Sequence, residues 1–497
     1  LKGVEMLARV RPTTGVDALE MSVILRPMRA TILLLSAVLM AITSPAQSLP
    51  MSIEQQLKKA GIAEHNLSVV VSRLTESNVQ STLGAPVLLH QADVARSPAS
   101  LMKLLTTLVA LDQLGPGFTW KTSFYKDGQL HEDGVLEGNI YIKGAGDPKL
   151  TLETAWRMMQ KLRAFGVKQI HGDLVLDKTV FEPISADPAA FDDQPLRAYN
   201  VSADALLINF NALLISFVPD VQAGVARVQV QPPMQGFSVT PSVPLVKGPC
   251  TDYRSALAAN FDHPSVLQFK GVYASECAER TWPLAYSKPQ EYSERALGGL
   301  WSALGGSVTG QVRLGVVPAT LKPLWVESSN TLAQVIRDMN KFSNNVMAQQ
   351  LFLSLSLGGA LPASFERSQE KVKLWWSLNM PKSDALPVLD KGSGLSRTEI
   401  ISAKALSDVL NLAWSSPWMP EFVASLPSVG QEGTLEKSTL RVAAHLKTGS
   451  LKDVMGIAGF VQSQAGTRYS VVAIVNDPKA SSARGVLDAV VNWVAQQ

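Results

Sequence analysis

The chain has 497 residues, 46% apolar and 18% charged, so it exceeds the roughly 250–300 residues that one hydrophobic core serves and lacks the composition of a disordered chain. Its 45 basic and 42 acidic residues leave a net charge of +3, too balanced for a protein that neutralises a phosphate backbone, and no nucleic-acid partner is expected. Two cysteines exclude a disulfide scaffold or a Cys-rich zinc module.

Arg26-Pro-Met-Arg29 precedes the apolar run Ala30 to Ile42, and Thr43-Ser-Pro-Ala46 follows. A basic start, about a dozen apolar residues and small residues at the end are the parts of a secretory leader. The run is shorter than the roughly 20 residues a membrane span needs. Residues 1–46 therefore read as a leader cleaved near Ala46, with 1–20 an over-extended reading frame, since Met21 and Met28 lie downstream of Leu1. The reading implies a periplasmic or otherwise exported protein with no integral membrane segment after leader removal. In that oxidising compartment Cys250 and Cys277 are expected to pair, closing a loop that stabilises by roughly 3–4 kcal/mol.

Residues 52–61 predict a short helix, and 67–74 and 87–90 predict strands. Ser97-Pro-Ala-Ser100 opens a helix over 101–114 that stops at Gly115-Pro116. From 119 to about 326 the texture changes to short β-like runs (138–143, 172–177, 226–231) punctuated by Gly, Pro and Asp. Helical periodicity returns at 331–341, 346–357, 364–378 and 402–414, then come β-like runs at 454–462 and 468–475 and a last helix at 483–494. The expected organisation is a catalytic domain of 47–118 plus 327–497, split by a β-rich insertion of 119–326 that reads as two nested subdomains.

The six histidines show neither His-Glu-x-x-His nor a Cys-His pattern, so no metal and no cofactor is implied. Neither a Gly-x-Ser-x-Gly elbow nor a complete dinucleotide fingerprint is present. Ser-x-x-Lys remains. A serine in the first turn of a helix and a lysine three residues on share one face, where a neutral amine can take the hydroxyl proton. Burial and a nearby second cation both favour the neutral amine. The pattern occurs at Ser100–Lys103, Ser123–Lys126 and Ser368–Lys371. Only Ser100 opens a helix; Ser123 falls in a β-like run and Ser368 on a charged helix face read as solvated. Ser-x-Asn occurs at Ser328, Ser343 and Ser377, and Ser343-Asn-Asn345 is preferred because it lies in a short loop between helical runs. Lys-Thr-Gly occurs once, as Lys447-Thr448-Gly449, followed by Ser450. Each triplet alone is common; the three in this chain order are the signature of active-site serine acyl transferases.

With these motifs the sequence resembles the penicillin-recognising serine D,D-peptidases, in the D-alanyl-D-alanine carboxypeptidase/endopeptidase branch of low-molecular-mass penicillin-binding proteins. Further segments carry the resemblance: Tyr141 to Thr151 with Gly-Ala-Gly-Asp-Pro, Tyr199 to Asn211, Asp390-Lys-Gly-Ser-Gly-Leu-Ser-Arg397 with Lys391 an extra residue, and Leu426 to Leu435. The second motif reads Ser-Asn-Asn where Ser-Asp-Asn is common.

The resemblance implies an α/β (α+β) transpeptidase/β-lactamase-like catalytic domain. Ser100 is the implied nucleophile, Lys103 its base and Ser343 the proton relay to the leaving amine. Asn345 would hold the substrate amide, and Lys447, Thr448, Gly449 and Ser450 would bind the substrate and its terminal carboxylate. The backbone N–H groups of Ser100 and Ser450 would form the oxyanion hole. Arg397, and more weakly Asp192-Asp193, are candidates for gripping a charged stem-peptide side chain, while His445 reads as a packing residue. The implied partners are peptidoglycan stem peptides, with β-lactams as acylating inhibitors. The competing readings are a β-lactamase-like hydrolase, against which the length of the insertion argues, and a non-catalytic cell-wall binding protein of the same fold.

Overall fold

The computed structural model describes residues 48–74, 86–184, 187–263, 265–382 and 384–497. The expected leader lies outside them.

A five-stranded antiparallel sheet runs in the order Pro86–His90, Leu67–Arg73, Arg468–Asn476, Val454–Gln462, Ala443–Leu451. Its central strands are apolar at nearly every position because both faces are covered. One face packs on helices Met51–Ala60 and Arg484–Ala495 through Ile53, Leu57, Val471, Val490 and Val494. The other packs on helices Met102–Leu114, Leu332–Lys341, Asn345–Ser354 and Ala403–Ser415, among them Leu108, Met339, Leu351, Leu406 and Val472. The helix Met102–Leu114 is buried from Met102 to Leu111, as a helix apolar on all sides must be. Among the described residues, no helix is long and apolar enough to cross a membrane.

A separate core is drawn from residues 124–325, including Phe124, Ile142, Leu176, Phe217, Tyr273, Trp301 and Trp325. It holds a mixed five-stranded sheet, Val312–Leu314, Leu174–Asp177, Ile140–Lys143, Lys121–Lys126, Trp325–Ser328, and an antiparallel ribbon built on Ala212–Asp220 and Val225–Gln231. Cys250 and Cys277 are joined here, with S–S 1.99 Å. The stretch is not purely β: helices Leu152–Ala164 and Tyr292–Ala303 pack into this core. The first buries Ala155, Met158, Met159 and Leu162, a helical period in the sequence that the neighbouring turn residues had masked.

The way into this region and the way back lie side by side. Lys121–Lys126 pairs antiparallel with Trp325–Ser328, Phe124 opposite Trp325 and Lys121 opposite Ser328. Beyond the pair, the Ser329 N–H donates to the Trp120 carbonyl (3.0 Å) and the Leu332 N–H to that of Phe118 (2.8 Å). The long excursion therefore ends where it began, and helix Leu332–Lys341 starts beside the end of helix Met102–Leu114.

Two local expectations are corrected. Ser368 is not on a solvated face: it is buried, its hydroxyl 2.9 Å from that of Ser356, because helix Phe365–Asn379 turns Ser368, Val372 and Trp375 toward the core and its charges outward. The helix Met419–Ser425, which the sequence reading left out, packs Phe422 into the same core.

Candidate active site

Ser100 sits in a 3-10 turn, Ala99–Leu101, that runs directly into helix Met102–Leu114. The turn is strained at Ala99, whose φ of 47° is a left-handed value uncommon for a residue with a Cβ. Spacing of three along this helical run brings Lys103 Nζ to 3.0 Å from Ser100 Oγ. The edge strand Ala443–Leu451 presses on the same turn: a Cβ on Gly449 would lie 2.8 Å from the Pro98 carbonyl oxygen, so the small residue of Lys-Thr-Gly permits the approach.

Ser343 lies in the connection between helices Leu332–Lys341 and Asn345–Ser354, at φ 55°. Asn344 caps the second helix, its side chain accepting from the Met347 N–H (3.0 Å), and this fixes Asn345 as the first helical residue. Lys103 Nζ donates to Asn345 Oδ1 (2.8 Å), although the two residues are 242 apart in sequence, and also to the Ser393 carbonyl. Lys447 Nζ donates to Ser343 Oγ (2.8 Å) and to the Thr448 carbonyl (2.7 Å). Thus Ser100, Lys103, Ser343, Asn345 and Lys447 converge, as two hydroxyl–ammonium pairs side by side.

Both lysines are fully buried. Burial pulls the Lys103 ammonium down to about 7, against an upward pull from Glu399. Lys447 is also lowered well below its ordinary value, by burial first and then by repulsion from Lys103. A hydroxyl 3.0 Å from an amine that loses its proton near neutrality has the geometry and proton affinity that a nucleophile and its general base require.

Above these groups opens a cleft of about 670 Å³ whose walls include Ser100, Ser343, Asn345, Tyr199, Arg397 and Ser450. Thr448 lies on the edge strand between Lys447 and Gly449, its hydroxyl donating to that of Thr434 (2.8 Å). Arg397 is exposed in the lining of the cleft, its guanidinium 4.3 Å from the Phe191 ring centroid. Asp192 accepts from the Tyr199 hydroxyl (2.6 Å) and the Asn200 amide (2.7 Å), so its carboxylate builds the wall it belongs to. Asp193 lines that wall as well. His445 borders a separate cavity with Trp414 and Phe460, and Cys250 and Cys277 lie in the other core, away from the cleft. Among the described residues, no group of three or more His, Cys, Asp or Glu is arranged to hold a metal ion.

Three participants escaped the sequence reading. Thr434 supports Thr448, the Tyr199 carbonyl accepts from Asn345 Nδ2 (3.3 Å), and Glu399 stands behind the loop that touches Lys103. The first two lie in segments that carried the resemblance but whose contacts are set only by folding. Glu399 carried no signal at all, since an acidic residue in a polar stretch reads as exposed.

Residues 49–497 match the family of D-Ala-D-Ala carboxypeptidase 3 (S13). The chain belongs to this family, and is a serine peptidase. It is 28% identical over 429 residues to a D-alanyl-D-alanine carboxypeptidase of Actinomadura sp. (strain R39), covering 81% of this chain and 76% of that protein. It is 25% identical over 390 residues to the D-alanyl-D-alanine carboxypeptidase DacB of Haemophilus influenzae, covering 76% of this chain and 80% of that one. The fold is similar to the crystal structure of penicillin binding protein 4 from Haemophilus influenzae, with a TM-score of 0.72 and 22% identity over 90% of this chain and 100% of the other. The architecture is thus the α/β penicillin-recognising fold expected from the motifs.

Proposed function

We propose that this protein is an exported D-Ala-D-Ala carboxypeptidase and D,D-endopeptidase that cleaves peptidoglycan stem peptides through an acyl-enzyme on Ser100. The observation that carries the reading is the position of Lys103 Nζ, fully buried and bonded at once to Ser100 Oγ and Asn345 Oδ1. Neutral Lys103 accepts the Ser100 proton as Oγ attacks the carbonyl between the last two D-alanines. The tetrahedral oxyanion is held by the backbone N–H groups of Ser100 and Ser450, each such donor typically contributing about 3–4 kcal/mol. Ser343 passes its proton to the departing amine and takes one in return from Lys447, which donates to it. Lys447, Thr448 and Ser450 take the terminal carboxylate, Asn345 takes the substrate amide, and water then releases the acyl group.

Carboxypeptidase and endopeptidase action differ only in the size of the amine that leaves, a single D-alanine or a cross-linked neighbour. An exposed Arg397 in the lining of the cleft supports a role in meeting a charged group on such a chain. The division into a catalytic part of 47–118 plus 327–497 and an insertion of 119–326 is supported by the separation of the cores. Export is supported by the composition of 1–46 and by the Cys250–Cys277 pairing. A neighbouring structure of penicillin binding protein 4 from Haemophilus influenzae is complexed with a β-lactam, and we extend this class of ligand to the present chain as an inhibitor that acylates Ser100.

The test is digestion of purified monomeric and cross-linked muropeptides by the wild type and by Ser100→Ala, with products separated by mass. D-alanine release and cross-link cleavage are expected from the wild type alone. Equal inactivity of the two proteins would remove the enzymatic reading, and in a parallel incubation with penicillin, turnover to penicilloate within seconds would make the chain a β-lactamase.

A further inference from the structure

The loop that touches the general base is itself held by a buried carboxylate to which nothing so far assigns a role. Glu399 is 1% exposed. Its Oε1 accepts from the backbone N–H groups of Gly392 (2.7 Å) and Asp390 (3.2 Å), and its Oε2 from that of Gly394 (2.7 Å). The loop so gathered gives two carbonyls to helix Met102–Leu114: that of Ser393 accepts from Lys103 Nζ, and that of Gly392 accepts from the Thr106 hydroxyl (2.7 Å). It also abuts the nucleophile's turn, since a Cβ on Gly394 would lie 1.9 Å from the Ala99 carbonyl oxygen.

We propose that Glu399 is a positioning residue for the general base: it holds the loop 390–394 so that the Ser393 carbonyl seats Lys103, and it faces that lysine with a buried negative charge. The inference rests on the peptidase reading above and deepens it.

Three features favour this over a purely structural carboxylate. First, no Lys, Arg or His makes an ion pair with Glu399 among the described residues, so a buried anion is left to N–H dipoles and to the field of Lys103. Second, every hydrogen-bond partner of its two oxygens is an N–H donor and none is an acceptor that a protonated acid could use, which favours the carboxylate against the burial that raises its proton affinity overall. Third, the charges in reach are few: Lys103 from the nucleophile helix, Asp390 from the same loop, and Lys447 from the edge strand, beyond Lys103.

The sign follows. Without the negative charge the Lys103 ammonium is less stable, so the neutral base persists to lower pH. Acylation of Ser100 by a fluorescent penicillin, measured from pH 5 to 9, reads this directly. Glu399→Gln keeps the shape, and its acid limb is expected about one unit below that of the wild type, with a plateau lower by roughly tenfold because the amide nitrogen opposes an N–H. Glu399→Asp keeps the charge but shortens the reach, so its limb is expected in place on a plateau lowered several-fold. A limb that Glu399→Gln leaves unmoved overturns the proposal. If Glu399→Gln does not fold, a Glu399→Asp protein with the full wild-type plateau overturns it instead, because the loop then does not need the longer side chain. Failure of the wild type to be acylated at all would refute the peptidase reading itself, a result distinguishable from either of these.

Discussion

Titrating the wild-type enzyme puts the assignment of Lys103 as base to a quantitative test. An ordinary lysine side chain holds its proton until about pH 10.4, and in such a site less than about one molecule in a thousand would carry a free amine at neutrality. Burial brings Lys103 down to about 7. The neutral fraction is then about one half at pH 7, about one tenth at pH 6 and about nine tenths at pH 8, from the titration relation alone. Acylation of Ser100 should therefore fall about fivefold from pH 7 to 6, and about tenfold for each further unit, while gaining less than about twofold from pH 7 to 8.

Second-order acylation rates measured by stopped flow with a fluorescent penicillin, with the adduct located on Ser100 by mass spectrometry, give this profile. Lys103→Arg supplies the control, since a guanidinium cannot be deprotonated in this range and should cost roughly 10²–10⁴-fold at every pH. A profile flat from pH 5 to 8, or one with its midpoint near 10, would show that the proton is taken by another group. A Lys103→Arg enzyme with wild-type rates would do the same.

Other substitutions probe the neighbours. Asn345→Asp places a carboxylate where Lys103 Nζ now donates at 2.8 Å, and such a pairing raises a lysine's proton affinity by about one unit or more. The acid limb should move up and the rate at pH 7 fall about fivefold or more, recovering at pH 9; an unmoved limb would exclude that contact in solution. Gly394→Ala drives a Cβ against the Ala99 carbonyl at a residue with φ 78°, so about 2 kcal/mol or more of stability should be lost, with slower acylation, by denaturant titration and the same assay. The pair Cys250→Ser and Cys277→Ser opens a loop of 27 residues and should cost about 3.5 kcal/mol of stability, while acylation of folded protein stays within about twofold because the bridge lies in the other core. Loss of activity before loss of structure in that double variant would argue against independent cores.

The convergence of Ser100, Lys103, Ser343, Asn345 and Lys447 was legible in the sequence because the proposed chemistry restricts residue type and local spacing together. Ser100 and Lys103 are neighbours on one turn, and Lys447-Thr448-Gly449 needs a small third residue where the strand meets that turn. Of the fold, four of the five strands of this sheet were legible for a related reason, apolar runs such as 454–462 and 468–475 leaving no polar face to mistake, whereas the edge strand Ala443–Leu451, which carries Lys447 and Thr448, was not read as a strand. Helix Leu152–Ala164 was lost among Gly and Asp turns although its buried positions recur at helical spacing. Ser368 was misplaced because a local count of charges says nothing about which side of a helix meets a neighbour; only the packing against Ser356 and Leu353 decides it.

Glu399 marks the boundary between what local pattern and tertiary structure can specify. Its neighbours Ser396, Arg397 and Thr398 are polar, and a carboxylate among them is ordinarily solvated. Its burial follows from the glycines before it. Gly392 and Gly394, at φ 69° and 78°, turn the loop back on itself so that N–H groups of 390, 392 and 394 all point to one side. A concave row of donors needs an anion, and the chain supplies its own five residues on from Gly394. The same turn leaves the Ser393 and Gly392 carbonyls facing the opposite way, onto Lys103 and Thr106. The carboxylate that satisfies one side of the loop therefore fixes the acceptor on the other. A single buried acid so couples the backbone geometry of the loop 390–394 to the protonation of the base 290 residues earlier than Ser393 in the chain.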